Sequence, residues 1–415
     1  MYDAIIIGAR VAGAPTAMLL AQKGHKVLLV DRDTFPSDIM STHALALPAI
    51  QFLHRWGLYE TLVAKGCRPI TKATLSATGG PPRTAELEAM CPRRYVLDEV
   101  LVRAAVEAGA ELREGLTLQE LTRVDGRVTG VRAQSRTNGE TVTEQAQIVV
   151  GADGIHSVVA RLVQTEKYDE RPGTTFGYYS YFSGVEGDGI EVHFRDRRII
   201  FSFPTNDGLT CLAFEAPKEE FQEFRSDIEG NFNRTLQLVP DLADRARGAE
   251  RQEPFKGMVD VPNFFRKPYG HGWALVGDAG YNKDPVTGLG IGDAFRDAEL
   301  LAEALDAGLS GLRPPPSAGS ATRGDQRDPA DLQSGSPQTL QDALADYEAR
   351  RNAAARATYD LTCRIASFPP PAVQLLLMAT LGNPEALALY GNVVDGKLPF
   401  NQFISMAMAN MAAPA

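Results

Sequence analysis

One segment at the start of the chain constrains the fold more than any other. Ile5-Ile6-Ile7 is apolar on both faces and reads as a buried parallel strand. The turn Gly8-Ala9-Arg10-Val11-Ala12-Gly13 follows, then an Ala- and Leu-rich helix over 14–23 closed by Gly24. A second apolar strand over 26–30 ends at Asp31. Strand, tight turn, helix and strand within about thirty residues make a βαβ unit. Gly8 permits the tight turn, and Gly13 lets the helix lie close to the strand. The helix start then offers unpaired N–H groups and a positive dipole end to a pyrophosphate. Asp31 stands where an acidic side chain accepts hydrogen bonds from a ribose diol. The middle glycine of such a turn is replaced by Arg10, whose side chain could reach a phosphate. The segment predicts a dinucleotide-binding fold; a tight βα turn without a ligand is the other reading.

The 415 residues suffice for two or three lobes around a shared core. With 44% hydrophobic and 23% charged residues, the composition is that of an ordinary globular protein. A net charge of −10 disfavours nucleic acid and anionic lipid as partners. Cys67, Cys91, Cys211 and Cys363 are far apart, without a CxxC or Cys/His cluster. Reduced, unpaired thiols are therefore expected, and no metal site. No signal-peptide pattern precedes the first strand, and no apolar run is long enough for a bilayer, the longest late one covering 373–381. These features predict a cytoplasmic protein away from membranes, acting on a small molecule as a monomer or homodimer.

Further helices are predicted over 48–56 and 97–108. Residues 118–150 alternate across Asp125-Gly126 and Asn138-Gly139, turn pairs that predict a meander ending in the buried strand Ile148-Val149-Val150. Residues 177–214 are rich in aromatic and β-branched side chains, with turns at Gly187-Asp188-Gly189 and Asn206-Asp207-Gly208. They predict an antiparallel sheet in a second lobe. A short strand over 273–276 returns to the first lobe, and a helix follows over 292–305. The resulting domains are a discontinuous first lobe (1–70, 93–165 and 270–308) and a sheet lobe (71–92 and 166–269). A Pro-, Gly- and Ser-rich stretch over 309–339 predicts a flexible loop, and 340–415 a helical region.

Two more turns carry chemistry. Gly151-Ala152-Asp153-Gly154-Ile155-His156-Ser157 follows one buried strand. Gly277-Asp278-Ala279 follows another, with Pro285, Gly288 and Gly290 soon after. In this order and spacing the three segments resemble the flavoprotein hydroxylases typified by p-hydroxybenzoate hydroxylase. The resemblance covers most of the chain, although its motifs all lie in the first lobe. It implies an α/β fold: an FAD-binding, Rossmann-like lobe of the glutathione-reductase type, an antiparallel-sheet substrate lobe and C-terminal helices. It implies FAD held by Gly8, Arg10, Ala12, Gly13, Asp31 and Arg32, then by Arg94, Asp153 and Gly154, and at the ring end by Gly277, Asp278, Gly288, Gly290 and Ile291. Asp278 matches the aspartate that bonds the ribityl chain. Asp153 and Gly154 match a motif also implicated in NAD(P)H contact. Gly288 and Gly290 leave room for a flat ring, and the following helix aims its positive end at the charge of reduced flavin. The chain departs from the family at Tyr281, where histidine is usual, and at Gly292, where asparagine is usual. Ser41-Thr42-His43 stands near the place of a common arginine, and Arg161 is displaced by one.

The resemblance further implies a monooxygenase of secondary or aromatic metabolism. NAD(P)H would reduce FAD, dioxygen would form a flavin C4a-hydroperoxide, and an aromatic or polyketide-like molecule would be hydroxylated. A phenol gains electron density on losing its proton, so a tuned His or Tyr is the expected base. His43 and Tyr281 are the candidates, with Pro285 stiffening the loop beside the ring. Otherwise His43 is a loop hydrogen-bonder and Tyr281 a packed core aromatic. Tyr179 and Tyr181 share one strand face, opposite Tyr178 and Phe182. With Phe203 and Pro204 they are candidate substrate contacts, ordinary sheet core being the other reading. Reductases of prenyl double bonds share the fold and the third motif. They usually carry a cysteine-containing loop where this chain has Ser41-Thr42-His43. Flavin halogenases carry a WxWxIP motif, whereas Trp56 and Trp273 are isolated. A non-catalytic flavin-binding protein is the remaining alternative.

Overall fold

Two large sheets, buried in different ways, divide the chain. The computed structural model describes residues 1–187, 189–310 and 339–412. The first sheet runs Glu111–Arg113, Val27–Val30, Tyr2–Ile7, Thr141–Gly151, Trp273–Leu275, Tyr269–Gly270. Its pairs are parallel except the last. Both faces are covered, which is why Ile5-Ile6-Ile7 lacks polar alternation. Ile6 packs into a core with Met18, Leu101 and Leu301 from the helices Gly13–Gln22, Arg94–Glu107 and Gly290–Ser310. Ile5 and Ile7 pack on the other side with Leu118, Val131 and Val159. The strands Leu116–Val124, Arg127–Ser135 and Thr141–Gly151 form an antiparallel meander, with Gly126 and Gly139 at positive φ as their turns require.

The second sheet runs Glu250–Arg251, Thr175–Ser183, Thr210–Pro217, Arg198–Pro204, Ile190–Arg195, Ile70–Ala77, Arg83–Ala89. It is antiparallel except where Ile190–Arg195 meets Ile70–Ala77. Period-two alternation sorts the side chains of Thr175–Ser183. Phe176 and Tyr178 pack against Phe221, Phe224 and Phe232 from short helices, while Tyr179 and Tyr181 turn to the opposite face with Phe203 and Cys211. Those helices, within 221–246, escape the sequence reading because each is too short for its period to register.

A small sheet of Lys167–Arg171, Asn263–Arg266 and Tyr281–Asn282 joins the lobes. The helix Leu340–Ala366 opens with a capping box between Thr339 and Asp342 and packs along Gly290–Ser310. Pro371–Leu381, Pro384–Val394 and Phe400–Ala412 cover the sheet around Val192 and Phe194. Among the described residues no single helix is long and apolar enough to cross a membrane. Two predicted helices begin earlier than expected, at Arg94 rather than Leu97 and at Gly290 rather than Gly292. Apolar periodicity marks only the part of a helix that faces the core. Of the expected loop over 309–339, Leu309 and Ser310 complete one helix and Thr339 caps the next. The stretch 311–338 lies outside the described residues, as does Asp188 of the expected 187–189 turn.

Phe214 sits at the centre of the aromatic layer, 4.7 Å from Phe224 and 5.8 Å from Phe232 between ring centroids. Phe214→Ala should lower folding free energy by about 3–5 kcal/mol. Urea denaturation measures this, and a loss under about 1 kcal/mol would contradict the packing described.

Candidate functional site

Glycines bring the three turns into contact. Gly8 has φ +101°, and a Cβ there would lie 2.4 Å from the carbonyl oxygen of Ala152, in the second turn. A Cβ on Gly13 would lie 1.8 Å from the Gly8 carbonyl oxygen. Gly277, at φ +60°, opens the third turn, and a Cβ there would lie 2.7 Å from Ala12 Cβ. Backbone bonds complete the junction: Ala152 N–H donates to Ile7 O at 2.7 Å and Val276 N–H to Gly151 O at 2.9 Å. The helix Gly13–Gln22 starts at this meeting point, where Ala14 N–H donates to Arg10 O at 2.9 Å, Thr16 N–H donates to Ala12 O at 3.3 Å and Pro15 has no N–H.

Charged side chains hold the turn from outside. Asp31 is buried, and its two oxygens accept from Ala9 N–H at 2.6 Å and Asp33 N–H at 2.8 Å. Burial raises its pKa, against those two bonds. Arg10 does not extend freely into the turn. Its terminal nitrogens donate to Asp98 at 2.6 Å, Asp33 at 3.2 Å and Ser37 Oγ at 3.0 Å. Arg94 reaches the same buried Asp98 at 3.0 Å. The two arginines singled out from the sequence are thus brought together by an aspartate that was not. The i,i+4 spacing of Arg94 and Asp98 was the available signal. Arg32 is exposed. Asp153 spends its carboxylate on its own turn, ahead of the N-cap Ser157. It accepts from Ser157 Oγ and from the N–H groups of Val158 at 2.6 Å and Val159 at 3.2 Å, at the start of Val158–Leu162. Gly154, at φ +77°, borders open space.

At the third turn Asp278 keeps an exposed surface between buried Gly277 and Ala279. Surrounding protein nonetheless lifts its pKa to about 6 by desolvation, with Lys283 and Arg94 opposing. The loop continues through Asp284, which caps the turn Pro285–Thr287. Gly288 is left-handed at φ +68°, and a Cβ there would stand 3.1 Å from Ala44 Cβ. At Gly290, where the long helix starts, a Cβ would meet nothing within 4 Å. Ile291 is buried behind it. The open space at Gly154 and Gly290, the solvent-facing Asp278 and the converging helix start fit an elongated anionic dinucleotide such as FAD.

The two candidate bases are placed differently. Tyr281 is a core aromatic: it stacks on Phe265 at 4.6 Å in a cluster with Tyr359 and Ala355. Its hydroxyl accepts from Lys283 Nζ at 3.0 Å, and burial pushes its pKa up. His43 sits instead in the Tyr179, Tyr181 and Phe203 cluster, one residue from the Ala44 that meets Gly288. It adopts φ +59° and is fully buried. Its Nε2 is 2.6 Å from Tyr181 Oη, and its rings contact Tyr179 at 6.0 Å and Phe203 at 6.3 Å. Its Nδ1 is buried without a partner. Desolvation, helped by Arg94, Arg93 and Lys256 and opposed by Asp38, pushes the imidazole pKa down to about 3. Pro204 is buried at the end of its strand.

Against this aromatic cluster lies a charge cluster that sequence reasoning missed. The Arg93 guanidinium lies 3.7 Å from the Tyr181 ring centroid and donates to Asp38 at 2.8 Å and Glu253 at 2.6 Å. Lys256 Nζ reaches Asp38 at 2.9 Å and Glu253 at 3.2 Å. These four residues span more than two hundred positions of the chain, so no local spacing reveals them. Cys91 and Cys211 also join the aromatic cluster, and burial raises both thiols. The absence of a nearby cysteine in sequence therefore does not hold in space.

The family described as FAD binding domain matches residues 1–318. Digeranylgeranylglycerophospholipid reductase 2 of Methanopyrus kandleri is 28% identical over 322 residues, covering 74% of this chain and 78% of the relative. Kynurenine 3-monooxygenase of Salinispora arenicola is 26% identical over 339 residues, covering 73% of this chain and 72% of the relative. The solved flavin-dependent brominase Bmp2 superposes with a TM-score of 0.78 at 19% identity, over 99% of this chain and 98% of the other.

Two predictions follow from the geometry. Asp278→Ala should purify with little flavin, read from the absorbance ratio at 450 and 280 nm, and full yellow colour would displace Asp278 from the cofactor. His43 has a folded pKa below the ordinary imidazole value, so protons favour the unfolded chain. Stability should therefore fall as pH drops from about 6.5 toward 3, and the ring should show no NMR titration near pH 6.5.

Proposed function

This chain belongs to the FAD binding domain family, and we propose that within it the protein is a monooxygenase that uses NAD(P)H and dioxygen to hydroxylate an aromatic or polyketide-like molecule. The observation that carries the reading is a fully buried histidine with an unpartnered nitrogen, packed in an aromatic cluster that abuts the third motif through Ala44 and Gly288. A hydroxylase needs aromatic surroundings of this kind to hold a flat substrate dry beside the cofactor.

FAD would be held by the turn at Gly8–Gly13, by Asp31 at the ribose, and by Asp278 and the start of Gly290–Ser310 at the ring end. Bound and reduced, it supplies the activation of dioxygen. The rest falls to the chain's own groups. Tyr179, Tyr181 and Phe203 offer ring faces and edges to an aromatic substrate. His43 Nδ1 can accept a hydrogen bond from a phenolic hydroxyl when Nε2–H donates to Tyr181 Oη. Full proton transfer is another matter. Desolvation and the nearby Arg94, Arg93 and Lys256 hold the imidazole far below the range of a phenol, so full proton transfer to it is strongly uphill. We therefore assign His43 the task of orienting and polarising the hydroxyl, not of removing its proton outright. The Asp38, Arg93, Glu253 and Lys256 cluster balances its own charges, two against two. It stiffens Tyr181 from behind without favouring an anionic substrate.

A second reading, reduction of a prenyl double bond, is supported by the 28% identical reductase and by the two thiols in the aromatic cluster. Both thiols are held neutral by burial, which favours a lining role. Halogenation is supported by the likeness to Bmp2 in fold and by a brominase of Pseudoalteromonas luteoviolacea that is 23% identical over 325 residues. Trp56 packs on Phe52 and Phe295, and Trp273 lies in the first sheet, so the two do not form a motif.

A screen of phenols and polycyclic aromatics tests the proposal. A true substrate should stimulate NAD(P)H oxidation, consume one dioxygen per product and add one oxygen mass. A product gaining two hydrogens, or a halogen when halide is supplied, would reject hydroxylation for those alternatives. His43→Ala should retain FAD yet lower product formation about tenfold to a hundredfold. Unchanged turnover would remove His43 from the proposed function.

A further inference from the structure

The loop 283–288, which on the reading above faces the flavin ring, is anchored from two sides by buried ionisable groups. On the side of the long helix, Lys283 is only 8% exposed. Its ammonium pairs with Asp293, in the first turn of Gly290–Ser310, and donates to Tyr281 Oη at 3.0 Å. Arg296 holds the other oxygen of Asp293 at 2.6 Å. On the side of the sheet lobe, Asp284 is fully enclosed. It accepts from Thr175 Oγ1 at 2.6 Å and Val286 N–H at 3.0 Å, and its own N–H donates to Asn263 at 2.7 Å.

The carboxyl of Glu215, a buried residue on the strand Thr210–Pro217, faces that of Asp284, and the two interact electrostatically. The sheet is built to admit that carboxyl. Gly177 lies opposite Glu215 in the register, and a Cβ there would crowd Glu215 Cγ at 3.1 Å and the Phe214 carbonyl oxygen at 2.6 Å. The second oxygen of Glu215, Oε2, is buried without a partner. No cation is among the partners found for either carboxyl in the described residues. Two such groups remain in contact only by sharing a proton. We infer that Lys283 and Glu215 are positioning residues, proton-carrying anchors that hold the loop, and with it Pro285 and Gly288, in the shape that receives the flavin.

The surroundings fix the direction of the effect. Burial and the Asp284 charge hold Glu215 well above the usual carboxylate range. Asp284 is raised as well, and Cys363 is the other titratable group facing it. Burial and Arg296 push Lys283 down to about 7, while Asp297, Asp278 and Cys363 pull the other way. Loss of the Lys283 proton leaves Asp293 and Asp278 less compensated beside an anionic cofactor. Loss of the Glu215 proton sets two carboxylates against each other in a dry interface. Both anchors fail as pH rises, so FAD binding takes up protons.

The full chain, stripped of flavin, is titrated with FAD by fluorescence quenching between about pH 6.5 and about pH 9. Wild type should bind at least about tenfold more weakly at the upper end, as for one coupled proton across one pH unit. Glu215→Gln offers Asp284 an N–H donor that does not titrate, and should flatten part of that loss. Glu215→Ala and Lys283→Met should bind about tenfold or more weakly at every pH. Wild-type affinity in these two variants, with only a lower melting temperature, would reduce both residues to structural parts and overturn the inference. If either fails to fold, the Glu215→Gln profile decides, and a slope equal to wild type overturns it. A wild type binding FAD equally at both pH values also overturns it and leaves the functional reading intact. No FAD uptake by the wild type at any pH would instead overturn that reading.

Discussion

The contact between the Gly8 backbone and the Ala152 carbonyl sets the geometry on which everything else rests. It fixes how near the first strand's end lies to that of Thr141–Gly151, and so where the start of Gly13–Gln22 points. Gly277 then meets Ala12 on the remaining side. Three peptide turns from distant parts of the chain share a space that has no room for side chains. Steric exclusion, rather than attraction, makes the cleft. The ionic contacts around it follow: Arg10 and Arg94 fold onto Asp98 because the turn places both at the mouth of one helix.

That arrangement explains how Arg10 is compatible with a position where glycine is usual. A glycine there lets backbone approach phosphate closely. Arg10 projects outward onto Asp98, Asp33 and Ser37, so its bulk leaves the cleft while its charge stays beside it. Asp98 and Asp33 balance the two arginines, which avoids an unpaired buried charge.

Much of the fold is legible in the sequence because its signals are local. Ile5-Ile6-Ile7, Asp125-Gly126 and Asn138-Gly139 each announce an element through a few adjacent residues, and the three glycine turns do the same for the cleft. The face assignment of Tyr179 and Tyr181 follows from the period of a strand alone. What stayed hidden is assembled across the chain. Asp38, Arg93, Glu253 and Lys256 meet only because two lobes close on each other, and Cys91 and Cys211 come together for the same reason. Burial is the other hidden quantity. Tyr281 and His43 are both near cofactor motifs in sequence, yet one stacks into a core and the other keeps a free nitrogen.

Burial also bears on the chemistry proposed for the aromatic cluster around His43. A histidine in water sits near its ordinary pKa and can trade protons at neutral pH. His43 is enclosed by aromatic rings with Arg93, Arg94 and Lys256 nearby, and all of these disfavour a second proton. Such a group is a fixed dipole with one open site. On the hydroxylase reading proposed above, it would orient a hydroxyl by direction and contribute little to removing its proton. On that reading the enclosure that weakens His43 as a base would also make it selective, because a ligand without a hydrogen-bond donor would leave Nδ1 buried and unsatisfied, a cost of about 1–3 kcal/mol.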